Sequence, residues 1–178
     1  PKAELHKLSK LDANHLGKIP GIRKPNGTWV GRYGWTKEKT THRSIRTWDK
    51  WEGAGACIRT GVVVGVDIDV TDEPLSLAIE AEALKILGPT PSRIGNAPKR
   101  LMPYRTTKPS SKEKDDFTHL ETGETHAVEI LGTGQQFVAE GIHPKTKQPY
   151  RWERGDLIEL GFEGLTEVTP EQVDEFLN

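Results

Sequence analysis

The hexapeptide GVDIDV (65–70) places two carboxylates two residues apart inside an apolar run. Side chains on a strand alternate between faces, so Asp67 and Asp69 point one way while Val66, Ile68 and Val70 point the other. The run VVVGV leading into them is continuously apolar, the pattern of a central strand covered on both sides. Two anions side by side on such a strand are costly unless a cation or a basic partner neutralises them. A divalent metal ion meets that requirement; so does a strand end that emerges into solvent and leaves both aspartates as surface charges. Glu129 is a third carboxylate, set between Val128 and Ile130 in HAVEIL on another predicted strand. If the two strands are adjacent, Asp67, Asp69 and Glu129 make an oxygen-only cluster suited to Mg²⁺ or Mn²⁺. If that face is open, Glu129 is the wet side of a half-exposed strand.

Between these carboxylates lies a basic segment, SRIGNAPKRLMPYR, with Arg93, Lys99, Arg100 and Arg105. Arginine and lysine beside a metal site point to phosphates, which are themselves metal ligands. Arg100 and Arg105 are five positions apart and would lie on opposite faces of a regular strand, so at least one of the four is a solvated charge. His143, in the turn GIHPKTK, follows the strand beside the site and is placed to approach phosphates, although a lone histidine is more often a surface or capping residue. No GxxxxGK[ST] loop is present, and GTGQQ after Glu129 lacks its lysine. HExxH, Cys/His zinc patterns and GxSxG are absent as well, which removes those hydrolase routes.

The elements that must position these residues read as a mixed fold. With 34% hydrophobic residues and a net charge of only -1 over 178 residues, the chain has core material for a folded globule, read as a single domain over 1–178. A single cysteine excludes an internal disulfide and leaves any metal to oxygen or imidazole. The longest uncharged apolar run, residues 61–66, falls far short of the roughly 18–20 residues of a membrane span, and no apolar secretory segment opens the chain, so a cytoplasmic protein without membrane contact is expected. Charge is uneven: residues 1–60 hold 13 basic and 5 acidic groups, residues 121–178 hold 4 and 12. Such asymmetry marks either a polyanion-facing surface or two segments that pack on each other.

The first forty residues are turn-rich, and THRSIRTWDKW spaces Ile45, Trp48 and Trp51 as a short helix does. ACIR and VVVGVDIDV read as a hairpin or two neighbouring strands. PLSLAIEAEALKIL is the firmest helix, with Leu75, Leu77, Ala78, Ala81, Leu84 and Leu87 as its apolar positions, Pro74 in its first turn and Gly88 as its stop. SRIG and RLMPYR are short strands, residues 106–117 a mobile loop, and HAVEIL, GQQFVAE and QPYRW further strands. Thr169 and Pro170 open a last helix, after which the chain ends at an expected domain edge. Consecutive strands without intervening helices make this an α/β (α+β) domain with a mixed, largely antiparallel sheet flanked by helices.

Taken together, these residues resemble the N-terminal catalytic domain of bifunctional DNA primase-polymerases, in the archaeo-eukaryotic primase superfamily. The resemblance rests on VVVGVDIDV as the first metal motif, SRIGNAPKRLMPYRT as the segment after the intervening helix, and AVEILGTGQQFVAEGIHPKTKQPYRW as the third motif with its strand and HP turn, in order over residues 18–152. It implies template-directed nucleotidyl transfer in phage, prophage or plasmid replication, in a bacterial or archaeal host, by a domain usually joined to a helicase. Asp67, Asp69 and Glu129 would hold two Mg²⁺ or Mn²⁺ ions. Arg93, Lys99, Arg100, Gln135 and His143 would hold the phosphates of an NTP or dNTP, and Lys18, Arg23, Lys24 and Arg32 would track a single-stranded DNA template. Trp29, Tyr33 and Trp35 would stack on bases or pack in the core. The family's second motif commonly carries a histidine, and none lies between Gly95 and Arg105; Lys99 is the nearest cation to that position. A metal-dependent nuclease using the same carboxylates, and a non-catalytic relic that binds single strands, are the rival readings.

Overall fold

The apolar run that carries Asp67 and Asp69 becomes the strand on which both layers of the molecule pack. The computed structural model describes residues 18–23, 29–31, 41–46, 55–118 and 123–178, the first two segments by backbone only. Among the described residues the chain forms ten strands, β1 (Lys18–Arg23), β2 (Trp29–Gly31), β3 (Gly55–Arg59), β4 (Val63–Asp69), β5 (Ser92–Ile94), β6 (Arg100–Arg105), β7 (Glu113–Thr118), β8 (Thr125–Leu131), β9 (Gln136–Glu140) and β10 (Arg151–Glu153). Four helices accompany them: α1 (His42–Ile45), α2 (Glu73–Leu87), α3 (Leu157–Leu160) and α4 (Pro170–Leu177). A six-stranded sheet runs β10-β5-β6-β4-β8-β7 and a four-stranded one β2-β1-β3-β9, with every pairing antiparallel. This is the expected α+β fold.

The alternation of β4 sorts its side chains between two cores. Val64, Val66 and Ile68, with Val70 just beyond the strand, pack with Met102 and Tyr104 of β6 and Val128 and Ile130 of β8 against Ala83 and Leu87 of α2 and Val173 of α4. Val63, from the opposite face, packs with Leu101 and Leu131 against Ile58 of β3 and Phe137 and Ala139 of β9. Burial on both faces is why this strand reads as an unbroken apolar run.

Helix α2 has the expected limits. Asp72 caps it by accepting from the Leu75 N–H at 2.8 Å, Pro74 sits in its first turn, and Gly88 ends it with φ 91°. Its buried stripe, however, is Ser76, Glu80, Ala83 and Leu87, whereas Leu77, Ala78 and Ala81, expected inside, are exposed. Glu80 explains the rotation. Its carboxylate is buried and takes the Arg100 and Arg154 guanidinium groups and the Ser92 hydroxyl, so the polar residue faces the sheet and the leucine at 77 faces solvent. Burial alone would push this carboxyl up, but the Ser92 and Arg154 hydrogen bonds and the Arg100 and Arg154 charges outweigh it and hold it below the ordinary carboxylate value.

Two further expectations are corrected. β3 and β4 neither form a hairpin nor share a sheet: the link between them is held by Thr60 N–H donating to Gln135 O at 2.9 Å and by the Thr60 hydroxyl on Gly132 O, and Gly61 turns the chain with φ 146°. Residues 106–117 are not a loop throughout. Their second half is β7, an edge strand paired along its length with β8, whose polar, exposed side chains gave no apolar alternation to read. The expected strands SRIG, RLMPYR, HAVEIL, GQQFVAE and QPYRW match β5, β6, β8, β9 and β10, and α4 carries the Thr169–Gln172 capping box. Of the expected W-rich helix, His42–Ile45 is helical, and Trp48 and Trp51 lie outside the described residues.

Removing one partner of a buried ion pair leaves an uncompensated charge and costs about 3–5 kcal/mol. Glu80→Ala is therefore expected to lower unfolding free energy by about that much in urea titration at pH 7. Because the folded pKa is depressed, the Glu80 contribution is full above the unfolded value of 4.5 and is lost as the pH falls through the folded one. A cost under about 1 kcal/mol would show that Arg100 is compensated by other groups.

Candidate functional site

Strand register brings the charged residues of the site into one line. Across the six-stranded sheet, Trp152 pairs with Arg93, Arg93 with Leu101, Leu101 with Asp67, Asp67 with Glu129, and Glu129 with Lys114. Directly paired residues share a face of the sheet. Arg93, Asp67, Glu129 and Lys114 thus all project toward the four-stranded sheet, and Asp69, two residues beyond Asp67, joins them near the end of β4. The Arg93 Nη1 donates to Val138 O of β9 at 2.8 Å and the Trp152 Nε1 to Glu140 Oε1 at 3.0 Å, which ties the two sheets together along this edge.

The three carboxylates are therefore neighbours on two paired strands, and each meets its charge differently. Lys99 pairs with Asp69, and Lys112 Nζ stands 2.7 Å from Glu129 Oε2, with Lys114 Nζ 3.8 Å from Oε1. Asp67 takes no hydrogen bond from the described residues and is the most confined of the three. Burial pushes its carboxyl up to about 6; the Arg93 and Lys99 charges act against that rise, and those of Asp69 and Glu129 add to it. Among the described residues, no three His, Cys, Asp or Glu converge closely enough to hold an ion as they stand, and Asp69 and Glu129 are each paired with a lysine. The donor set itself fits a hard divalent ion: oxygen only, with one carboxylate whose negative charge is raised in energy and has no hydrogen-bonded partner among the described residues.

Opposite the carboxylates, Arg93 is held rigidly. Its guanidinium carbon lies 4.6 Å from the Tyr150 ring centroid, and the edge of Tyr150 meets His143 with centroids 5.3 Å apart. Both rings sit against Gly95, where a Cβ would collide with Tyr150 and stand 2.8 Å from His143 Cδ2, so glycine is required there by close approach. Thr146 Oγ1 donates to Gly95 O at 3.1 Å and fastens the 141–150 loop to the end of β5. His143 Nδ1 accepts from the Lys145 and Thr146 N–H groups at 3.3 and 3.2 Å, which assigns its proton to Nε2. Burial lowers its pKa below 6.5, and the Arg93, Lys145 and Lys99 charges lower it further. At pH 7 His143 is a neutral donor.

The structure thus brings together Asp67, Asp69, Glu129, Arg93, Lys99 and His143. It does not bring Arg100 or Gln135 to them. Arg100 pairs in register with Ile68, which puts it on the helix side, where Nε donates to Pro98 O at 3.1 Å and Nη1 is bound to Glu80. That buried pairing places Arg100 on the opposite face of the sheet from Asp67 and Glu129. Gln135 lies beyond the far end of β4, where Oε1 accepts from the Gly132 N–H at 3.2 Å and closes a turn. Lys18 and Arg23 fall on β1, described by backbone only, as is Trp29 on β2; Lys24, Arg32, Tyr33 and Trp35 lie outside the described residues. Sequence reasoning missed Lys112, Lys114 and Tyr150. The alternation of Lys112, Glu113, Lys114 and Asp115 was the available signal for the first two, hidden inside a stretch read as loop.

A family model described as bifunctional DNA primase/polymerase, N-terminal, matches residues 10–171. No curated protein matches the chain. No helix among the described residues is long and apolar enough to cross a membrane.

The raised Asp67 value carries a sign that can be tested. The unfolded carboxyl ionises near 3.8 and the folded one near 6, so the fold loses stability as the pH rises between those values. With chelator present, Asp67→Asn is expected to be about 1–3 kcal/mol more stable than the parent at pH 8 and to flatten the dependence between these two values. Thermal unfolding across this range measures both. An asparagine variant no more stable at pH 8 would show that solvent relieves the carboxylate.

Proposed function

The chain belongs to the bifunctional DNA primase/polymerase N-terminal family, and from that premise we propose that it carries out metal-dependent, template-directed nucleotidyl transfer on single-stranded DNA in the replication of a phage, prophage or plasmid. Membership establishes a primase/polymerase-type function in general. The observation that carries the finer reading is the register line: it sets Asp67 against Glu129, with Asp69 two residues on and Arg93 two strands away, all on one face.

Two Mg²⁺ or Mn²⁺ ions held by Asp67, Asp69 and Glu129 would activate the attacking 3′-hydroxyl and neutralise the triphosphate. The chain's own residues supply the remainder, which is positioning and charge. Asp67 forms the enclosed floor and Asp69 the exposed rim of the acidic set. Arg93, fixed by Val138 and Tyr150, offers a guanidinium whose orientation is set before a nucleotide arrives, and its Nε is buried without a hydrogen-bond partner among the described residues. His143 offers the Nε2 proton to a phosphate oxygen, and Lys99 a mobile ammonium now resting on Asp69. A helicase, as a separate protein or a further segment, would present the unwound template, in the cytoplasm of a bacterial or archaeal host.

Primer extension on a single-stranded template, with NTPs or dNTPs and with Mg²⁺ or Mn²⁺, tests the reading. Groups that merely support a metal ligand cost about 10–100-fold when removed, so Asp67→Ala or Glu129→Gln should lower extension by more than about a hundredfold. Gln135→Ala should leave the nucleotide KM unchanged, since that side chain closes a turn away from the site. Template degradation in place of extension would move the chemistry to a nuclease; metal-independent strand binding without turnover would make the chain a relic.

Because the His143 pKa lies below 6.5, the nucleotide KM should vary little between pH 7 and 9 and the contact should not depend on imidazolium. A KM that rises steeply over that range would show His143 binding as a cation.

A further inference from the structure

Glu129 is met by two lysines, and they are not equivalent. Lys114, on β7 and in register with Glu129, stands 2.6 Å from Asp116 Oδ1 and only 3.8 Å from Glu129 Oε1. Lys112, just before β7, stands 2.7 Å from Glu129 Oε2 and forms no other ion pair among the described residues. If Glu129 were taken by a stronger cation, Lys114 would keep Asp116 and Lys112 would be left without an anion. Both lysine side chains are about two-fifths exposed, at 39% and 40%, against 21% for Glu129, so the carboxylate is the fixed member of the pair and the lysine the member free to move.

We propose that Lys112 is a nucleotide-binding residue held in reserve: it occupies Glu129 in the metal-free site, is displaced when a divalent ion takes that carboxylate, and then binds the phosphates of the incoming nucleoside triphosphate. The inference rests on the metal-dependent reading above. Charge supports it. Asp67, Asp69 and Glu129 face Arg93, Lys99, Lys112 and Lys114, so the face is already close to neutral without ions. Two divalent ions alone would drive it strongly positive and a triphosphate alone would compete with the carboxylates for the lysines, whereas the two together nearly cancel. Lys112 therefore opposes the ion and favours the nucleotide, so each ligand raises the affinity of the other.

Mn²⁺ binding to the whole chain, followed by calorimetry or electron paramagnetic resonance with and without a non-hydrolysable nucleoside triphosphate analogue, reads this without turnover. An exposed ion pair is worth up to about a fivefold change in affinity, so Lys112→Met should bind Mn²⁺ alone about two- to fivefold more tightly and lose a similar factor of the Mn²⁺–nucleotide coupling. Lys112→Arg should restore the coupling, and Lys114→Met should change both quantities less than Lys112→Met does. Parent-like Mn²⁺ affinity and coupling in Lys112→Met would overturn the role of this lysine and leave the metal site standing. A parent chain that binds no Mn²⁺, with or without the analogue, would overturn the metal site and this inference with it.

Discussion

The register of β4 between β6 and β8 is the constraint on which the remainder depends. Because β4 is buried on both faces, sliding it by one residue would carry Asp67 and Asp69 into the core beneath α2 and bring Val66 and Ile68 out among charges. The two apolar clusters therefore do more than stabilise the sheet. They forbid the alternative pairing, and in doing so they hold Asp67 opposite Glu129. The cost of crowding anions at the end of this strand is tolerated because the strand is anchored along its whole length by valine and isoleucine.

A second polar centre lies on the other side of the same sheet. Glu80 gathers Arg100 from β6, Ser92 from β5 and Arg154 after β10, so one helix carboxylate fastens the three strands that lead to Arg93. Its neighbours are arginines with fixed geometry, and it is satisfied from several directions, which is the condition under which a buried charge is tolerable. The segment SRIGNAPKRLMPYR thus serves both faces: Arg93 is spent on the site and Arg100 on the fold.

Local alternation carried most of what was legible in the sequence. GVDIDV and HAVEIL showed their carboxylates because apolar residues on both sides made the charges conspicuous, and the caps of α2 and α4 were written in Asp72, Gly88 and Thr169. Partnership between distant segments was not legible. β3 and β4 follow each other with a short link yet join different sheets, a choice made by the 132–135 turn far along the chain. Glu80 reads as a surface residue until its arginines are placed, which is why apolar spacing alone points to the wrong face of α2. β7 is an edge strand whose pairing partner supplies all its order, so polar composition disguised it.

The bond from Arg93 to Val138 has a mechanical consequence. All three carboxylates stand on the six-stranded sheet, while β1 and β2, built from the basic first third of the chain, reach that sheet by way of β3 and β9. Arg93 is rooted in one sheet and hydrogen-bonded to the other, with Tyr150 as its backstop. A small shear of the four-stranded layer would leave the distances among the carboxylates as they are and tilt this guanidinium. It is a lever whose long arm lies in β1 and β2, and whatever loads those strands would be felt at Arg93 before it is felt at the carboxylates.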